Sequence, residues 1–87
     1  MIATLNNKKF NDIFSKALQV DSSEINDQMS PQNVPSWDSF NSLMLITELE
    51  KGFGIHFKMK EVTSIKNVAD IKTILKKNGV ELWIMKI

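Results

Sequence analysis

Apolar residues recur along this chain at helical spacing in some stretches and lose all period in others. Phe10, Ile13, Phe14, Ala17 and Leu18 fall at i, i+3, i+4, i+7 and i+8, one face of an α-helix. Lys8, Lys9, Asn11, Asp12, Ser15 and Lys16 take the opposite face. This spacing predicts a first helix over residues 5–18. From Gln19 to Trp37 polar turn formers dominate, and Pro31 and Pro35 exclude a continuous helix. Val20, Ile25, Met29, Val34 and Trp37 are spaced to pin this loop onto a core, and Asp21-Ser22-Ser23-Glu24 predicts one short capped turn. A loop of this length inside a small domain is uncommon unless it serves function.

The second helix opens at Asp38, a good N-cap residue, which places Ser39 and Phe40 in the first turn. Phe40, Leu43, Ile46, Leu49 and Phe53 predict its buried stripe, Met44 and Leu45 widen the apolar region, and Gly52 and Gly54 stop it. Glu48, Glu50 and Lys51 are expected in solvent. Ile55-His56-Phe57 reads as an extended connector with His56 pointing outward, and residues 58–62 as one short helical turn. Asn67, with Asp70 three residues on, caps a last helix whose inner face is Val68, Ile71, Ile74 and Leu75, and Asn78-Gly79 ends it. The pattern therefore predicts an all-α domain, a small bundle of three main helices and one short one, with a long loop after the first. One domain spans residues 1–87, and residues 79–87 form an apolar C-terminal tail. That tail either folds back on the domain, pairs as a short strand, or docks a partner or a membrane surface.

Composition narrows the function. With 87 residues there is one core and little room for an internal active-site cavity. Eleven basic against 10 acidic residues give a net charge of +1, which lacks the basic excess of a nucleic-acid binder. No apolar run approaches the ~20 residues needed to span a bilayer, and the opening residues lack the basic-then-apolar order of a signal peptide. A cytoplasmic monomer without membrane or nucleic-acid contact is the expectation. With no cysteine there is neither a disulfide nor a thiolate metal site, and any thiol chemistry must use a thiol added from outside.

Catalytic sets are equally scarce. One histidine and no cysteine exclude Cys–His catalysis, and no serine lies between glycines as in a nucleophile elbow. The glycines at 52, 54 and 79 form no phosphate loop, and no acidic cluster has calcium-loop spacing. No metal site and no intrinsic enzyme activity are expected. What remains is the Ser39 hydroxyl, presented where a proline-bearing loop becomes a helix. A phosphate ester there would meet unpaired N–H groups and the positive end of the helix dipole. The plainer alternative is that Ser39 only helps cap the helix.

Trp37-Asp38-Ser39-Phe40, followed by Leu43, Ile46, Leu49-Glu50 and Phe53-Gly54-Ile55, resembles the phosphopantetheine attachment region of acyl carrier proteins. Leu18-Gln19-Val20-Asp21 with Ile25 resembles the end of that family's first helix, and Asn67-Val68 through Leu75 its last. The resemblance covers nearly the whole chain. It implies a four-helix carrier whose Ser39 receives 4′-phosphopantetheine from a transferase that uses coenzyme A and magnesium, with Asp38 as motif residue and helix cap. Acyl or aminoacyl groups would then ride on the arm as thioesters, between acyl-loading and acyl-accepting enzymes. Trp37 reads first as a packing anchor, but together with Phe40 and Met44 it is also the best candidate for the surface that partners read. The chain departs from the family at Phe40, where leucine or methionine is usual, and in lacking the acidic helix of fatty-acid carriers. These departures imply a specialised route: a polyketide, a secondary metabolite, a polysaccharide or amino-acid transfer. Asp38 in place of glycine makes a peptidyl carrier the poorer match. The rival expectation is a carrier-fold interaction domain with no prosthetic group.

Overall fold

The structure, a computed structural model, describes residues 2–82, and these form four α-helices and one 3₁₀ turn with no strand. Helix α1 spans Ile2–Leu18, α2 Ser39–Phe53, α3 Met59–Ser64 and α4 Val68–Lys77. The all-α bundle of three main helices and one short one is thus the observed architecture. Its radius of gyration is 11.7 Å, close to the ~12 Å expected of a compact chain this long.

Phe10, Phe14 and Leu18, fully buried on α1, form the centre of the core. Their i, i+4, i+8 spacing stacks Phe10 on Phe14 with ring centroids 5.8 Å apart, and Phe14 meets the Trp37 ring edge-on at 5.4 Å. Leu45 and Leu49 of α2 and Val68, Ile71 and Leu75 of α4 complete it. Helix α1 begins one turn earlier than its spacing predicts and ends at Gln19, which takes a left-handed φ of 55°. The signal for a glycine stop is absent there. Instead the Val20 amide bonds back to the Ser15 carbonyl, and the Ser15 hydroxyl donates to the Val20 carbonyl, holding the turn without glycine.

The loop after α1 is ordered by its own polar side chains and by α4. Asp21 caps the 3₁₀ turn Ser22–Glu24 by accepting from the Ser23 amide at 2.9 Å. Asn26 and Asn33 accept from the Gln28 and Ser30 amides, as turn-forming asparagines do. The carbonyls of Met29 and Asp27 accept from the amides of Val68 and Ala69 at 3.0 Å each. Asn67 Oδ1 takes the Asp70 amide at 2.9 Å, and its carbonyl takes the Ile71 amide. The opening donors at Val68, Ala69 and Asp70 are therefore all satisfied, two of the three by the loop. Lys72 and Asp27 close the same junction with a 2.8 Å ion pair whose side chains are only 11% and 8% exposed.

Three expectations for α2 and its surroundings are corrected. The buried stripe is not Phe40, Leu43, Ile46, Leu49 and Phe53: Leu45 and Leu49 are buried, Ile46 and Phe53 half-buried, while Phe40 and Leu43 are 70% and 65% exposed. Apolar residues occur on several sides of this helix, so periodicity alone leaves its rotation open; contact with α1 fixes it. Gly52 does not stop the helix but lies inside it against α1, where a Cβ would come within 2.6 Å of Ile13 Cδ1. Gly54 alone, at φ 66°, provides the left-handed cap, and its amide donates to the Glu50 carbonyl. Glu50 is half-buried, not solvated, and its Oε2 accepts from the Phe57 amide at 2.8 Å. His56 does point outward.

After α4, Gly79 at φ 91° turns the chain back, and Leu82 is buried against the core with Val80 packed beside it. Asn6 of α1 donates to the Glu81 carbonyl at 3.0 Å. The start of the apolar tail thus folds onto the domain; Trp83 to Ile87, the rest of it, lies outside the described residues.

Candidate functional site

Ser39 is the first residue of α2 and is exposed. Its position is fixed from both sides. On the loop side, Val34 and Trp37 are 4% and 5% exposed, and the Trp37 amide donates to the Val34 carbonyl at 2.9 Å. On the helix side, Asp38 is the N-cap: its Oδ1 accepts from the Asn41 amide at 2.9 Å, and its carbonyl accepts from the Ser42 amide at 2.8 Å. Asn41, a residue that pattern reading passed over, returns its side-chain N–H to the Ser36 carbonyl at 2.8 Å. The peptide from Ser36 to Ser42 is thereby closed on itself, with the Ser39 hydroxyl outside the closure. An asparagine in the first turn after an Asp-Ser pair was the available signal, since its amide can reach back across a cap.

The amides of Ser39 and Phe40 have no partner among the described residues, as expected of the first turn of a helix. They leave an electropositive helix end beside the hydroxyl. No group of acidic or histidine side chains suited to a metal ion occurs among the described residues, and no helix there is long and apolar enough to cross a membrane.

Of the three residues expected to form a recognition surface, two are exposed. Phe40 is 70% and Met44 46% accessible, and Leu43, expected in the core, joins them on the surface. Trp37 takes the first of its two readings, the packing anchor: its indole is buried edge-on against Phe14 and supports the site from below. On the other flank of α2 a small cleft of about 80 Å³ is lined by Trp37, Leu45, Ile46, Val62 and Ile65, with Ser42, one turn from Ser39, at its edge.

No family model and no curated protein matches this chain. Among solved structures, the chain is similar to Rv0033 from Mycobacterium tuberculosis, a protein provisionally assigned as an acyl carrier protein. The TM-score is 0.73 at 27% sequence identity, over 82% of this chain and 95% of that one. The fold is therefore of the acyl-carrier type.

Proposed function

We propose that this protein is an acyl carrier whose Ser39 bears a 4′-phosphopantetheine arm. The observation that carries the reading is the exposed Ser39 hydroxyl on a helix start locked by Asp38 and Asn41, in a fold similar to a provisionally assigned acyl carrier protein.

The residues present fit such a group. The hydroxyl can form a phosphodiester by displacing adenosine 3′,5′-bisphosphate from coenzyme A, its proton leaving to solvent or to a base of the transferase. The new anionic phosphate then lies beside the free Ser39 and Phe40 amides and the positive end of α2. Asp38 accepts the Asn41 amide through Oδ1 and so sets the helix start beside the hydroxyl. The arm supplies the thiol that a cysteine-free chain lacks, and cargo is held on it as a thioester. This chain contributes no catalysis; loading and accepting enzymes approach Ser39 from the exposed side, with Phe40 and Met44 in their path.

The near-neutral charge supports a specialised biosynthetic route over fatty-acid synthesis, because partners selecting an acidic helix find few carboxylates on α2. Incubation with coenzyme A, magnesium and a broad-specificity phosphopantetheinyl transferase tests the assignment. One arm per chain is expected on wild type and none on Ser39→Ala, whose helical circular dichroism stays unchanged. An unmodified wild-type chain would favour the rival reading, an interaction domain of the same fold.

A further inference from the structure

Six large apolar side chains are exposed among the described residues: Ile2, Leu5, Phe40, Leu43, Met44 and Met59. Scattered, they would need no explanation, but four of them share one face. Along α2, Phe40, Leu43 and Met44 line a shallow groove that continues to Glu48 and Lys51. A second groove runs from Glu48 and Lys51 across Gly52 to Leu5, Lys8 and Lys9 of α1. A third joins Met44 and Glu48 to Asp12, Ile13 and Lys16. The absence of a side chain at Gly52 brings α1 and α2 close together and keeps this face continuous.

Its charge is uneven. Four ammonium groups, Lys8, Lys9, Lys16 and Lys51, border it against two carboxylates, Asp12 and Glu48. Glu48 and Lys51 lie 3.7 Å apart, so that pair offsets one charge of each sign and leaves three ammonium groups against one carboxylate. Lys9 is held over the Phe53 ring at 5.2 Å, which places its charge at the groove between the helices. The face is thus an apolar strip with a cationic border, on a chain whose overall charge is nearly balanced.

We propose that this α1–α2 face docks an acidic amphipathic helix of a partner protein, apolar toward Phe40, Leu43, Met44 and Leu5 and carboxylate-bearing toward the lysines. Charge complementarity selects an acidic occupant over a second copy, which would set lysine borders of like sign against each other. The groove from Phe40 to Lys51, apolar at Phe40, Leu43 and Met44 and polar from Thr47 on, is about 16 Å long at the helical rise, the length of about three turns of a docked helix. The proposal adds the partner's chemistry to the carrier reading and rests on it only for what the partner does next; docking itself needs no arm.

The test therefore uses the isotopically labelled Ser39→Ala chain, which cannot be modified. It is titrated with a synthetic helical peptide bearing a leucine stripe flanked by glutamates, with the same peptide carrying lysines for the glutamates, and with a glutamate peptide lacking the leucines. Saturable amide shifts in residues 5–16 and 40–52 are expected with the first peptide only. Lys9→Glu with Lys51→Glu should weaken it roughly tenfold and raise the affinity of the lysine peptide. Leu43→Ser should weaken the first peptide with the charges intact. Equal binding of both charged peptides, binding without leucines, shifts elsewhere, self-association through this face, or binding to phosphatidylglycerol vesicles in place of the peptide would each overturn the proposal. Failure here with normal modification of wild type leaves the carrier reading standing, and the converse also holds.

Discussion

Replacing Asp27 by alanine should be the most damaging single change at the junction that steadies the loop before Ser39. The Asp27 carboxylate and Lys72 ammonium are 2.8 Å apart with about a tenth of each side chain exposed. Lys72 also lies over the Phe10 ring, 5.4 Å from its centroid, so its charge sits at the edge of the core. Alanine leaves that ammonium without its anion in a site water scarcely reaches. Breaking a buried pair in this way costs about 3–5 kcal/mol. A chain of this size has a total stability of roughly 4–13 kcal/mol, so the variant should lose at least about a fifth of it. The midpoint of thermal unfolding should fall by at least about 12 °C. Urea denaturation followed by circular dichroism measures the difference directly. The double variant Asp27→Leu, Lys72→Met should recover most of the loss, because no charge then needs a partner. A loss under about 1 kcal/mol in Asp27→Ala, the range of exposed pairs, or a double variant no better than the single, would refute the reasoning.

Further outcomes follow from local geometry. Asp38→Ala removes the acceptor of the Asn41 amide and should cost about 0.5–2 kcal/mol, read as a lower urea midpoint with faster amide exchange at residues 39–42. Gly52→Ala should change stability by less than about 1 kcal/mol, since helix propensity gains what a rotation of the Ile13 methyl costs; Gly52→Val should lose about 1–3 kcal/mol by overpacking. Hydrogen bonds from the Ser23 amide, and to a lesser extent its hydroxyl, hold the Asp21 carboxyl below its ordinary range. A depressed folded-state pKa stabilises above the unfolded value and that contribution is lost as pH falls through the folded one. Ser23→Ala should therefore shift the Asp21 titration upward in a carbon-detected NMR experiment, with any stability difference from wild type vanishing in acid.

The helices were legible because caps and periodicity agree: Asp38 and Asn67 accept the amides that their side chains are suited to accept, and Phe10, Phe14 and Leu18 bury together. The rotation of α2 was not legible. With Phe40, Leu43, Met44, Leu45 and Ile46 in one helix, two stripes satisfy the same spacing, and the choice rests on the approach of Gly52 to Ile13, a contact across 39 positions of sequence. The same ambiguity hid the exposed strip, since Leu43 read as core. Gln19 ended α1 without a glycine because a hydroxyl and an amide from neighbouring residues hold the turn. At the site, Ser39 and Asp38 stood out by residue type at a helix start, whereas the Asn41 link to Ser36 depends on side-chain direction. The Lys72 pair with Asp27 was hidden for another reason: nothing in the sequence marks Lys72 as the lysine that is buried among the described residues.

Mass spectrometry of the protein, produced alongside a broad-specificity phosphopantetheinyl transferase and cut into peptides, puts the tether itself to the test. The account predicts one phosphopantetheine, carried on the Ser39 side chain, in the peptide that holds Trp37 to Phe40. An unmodified Ser39, or an arm attached to any other residue, would contradict it.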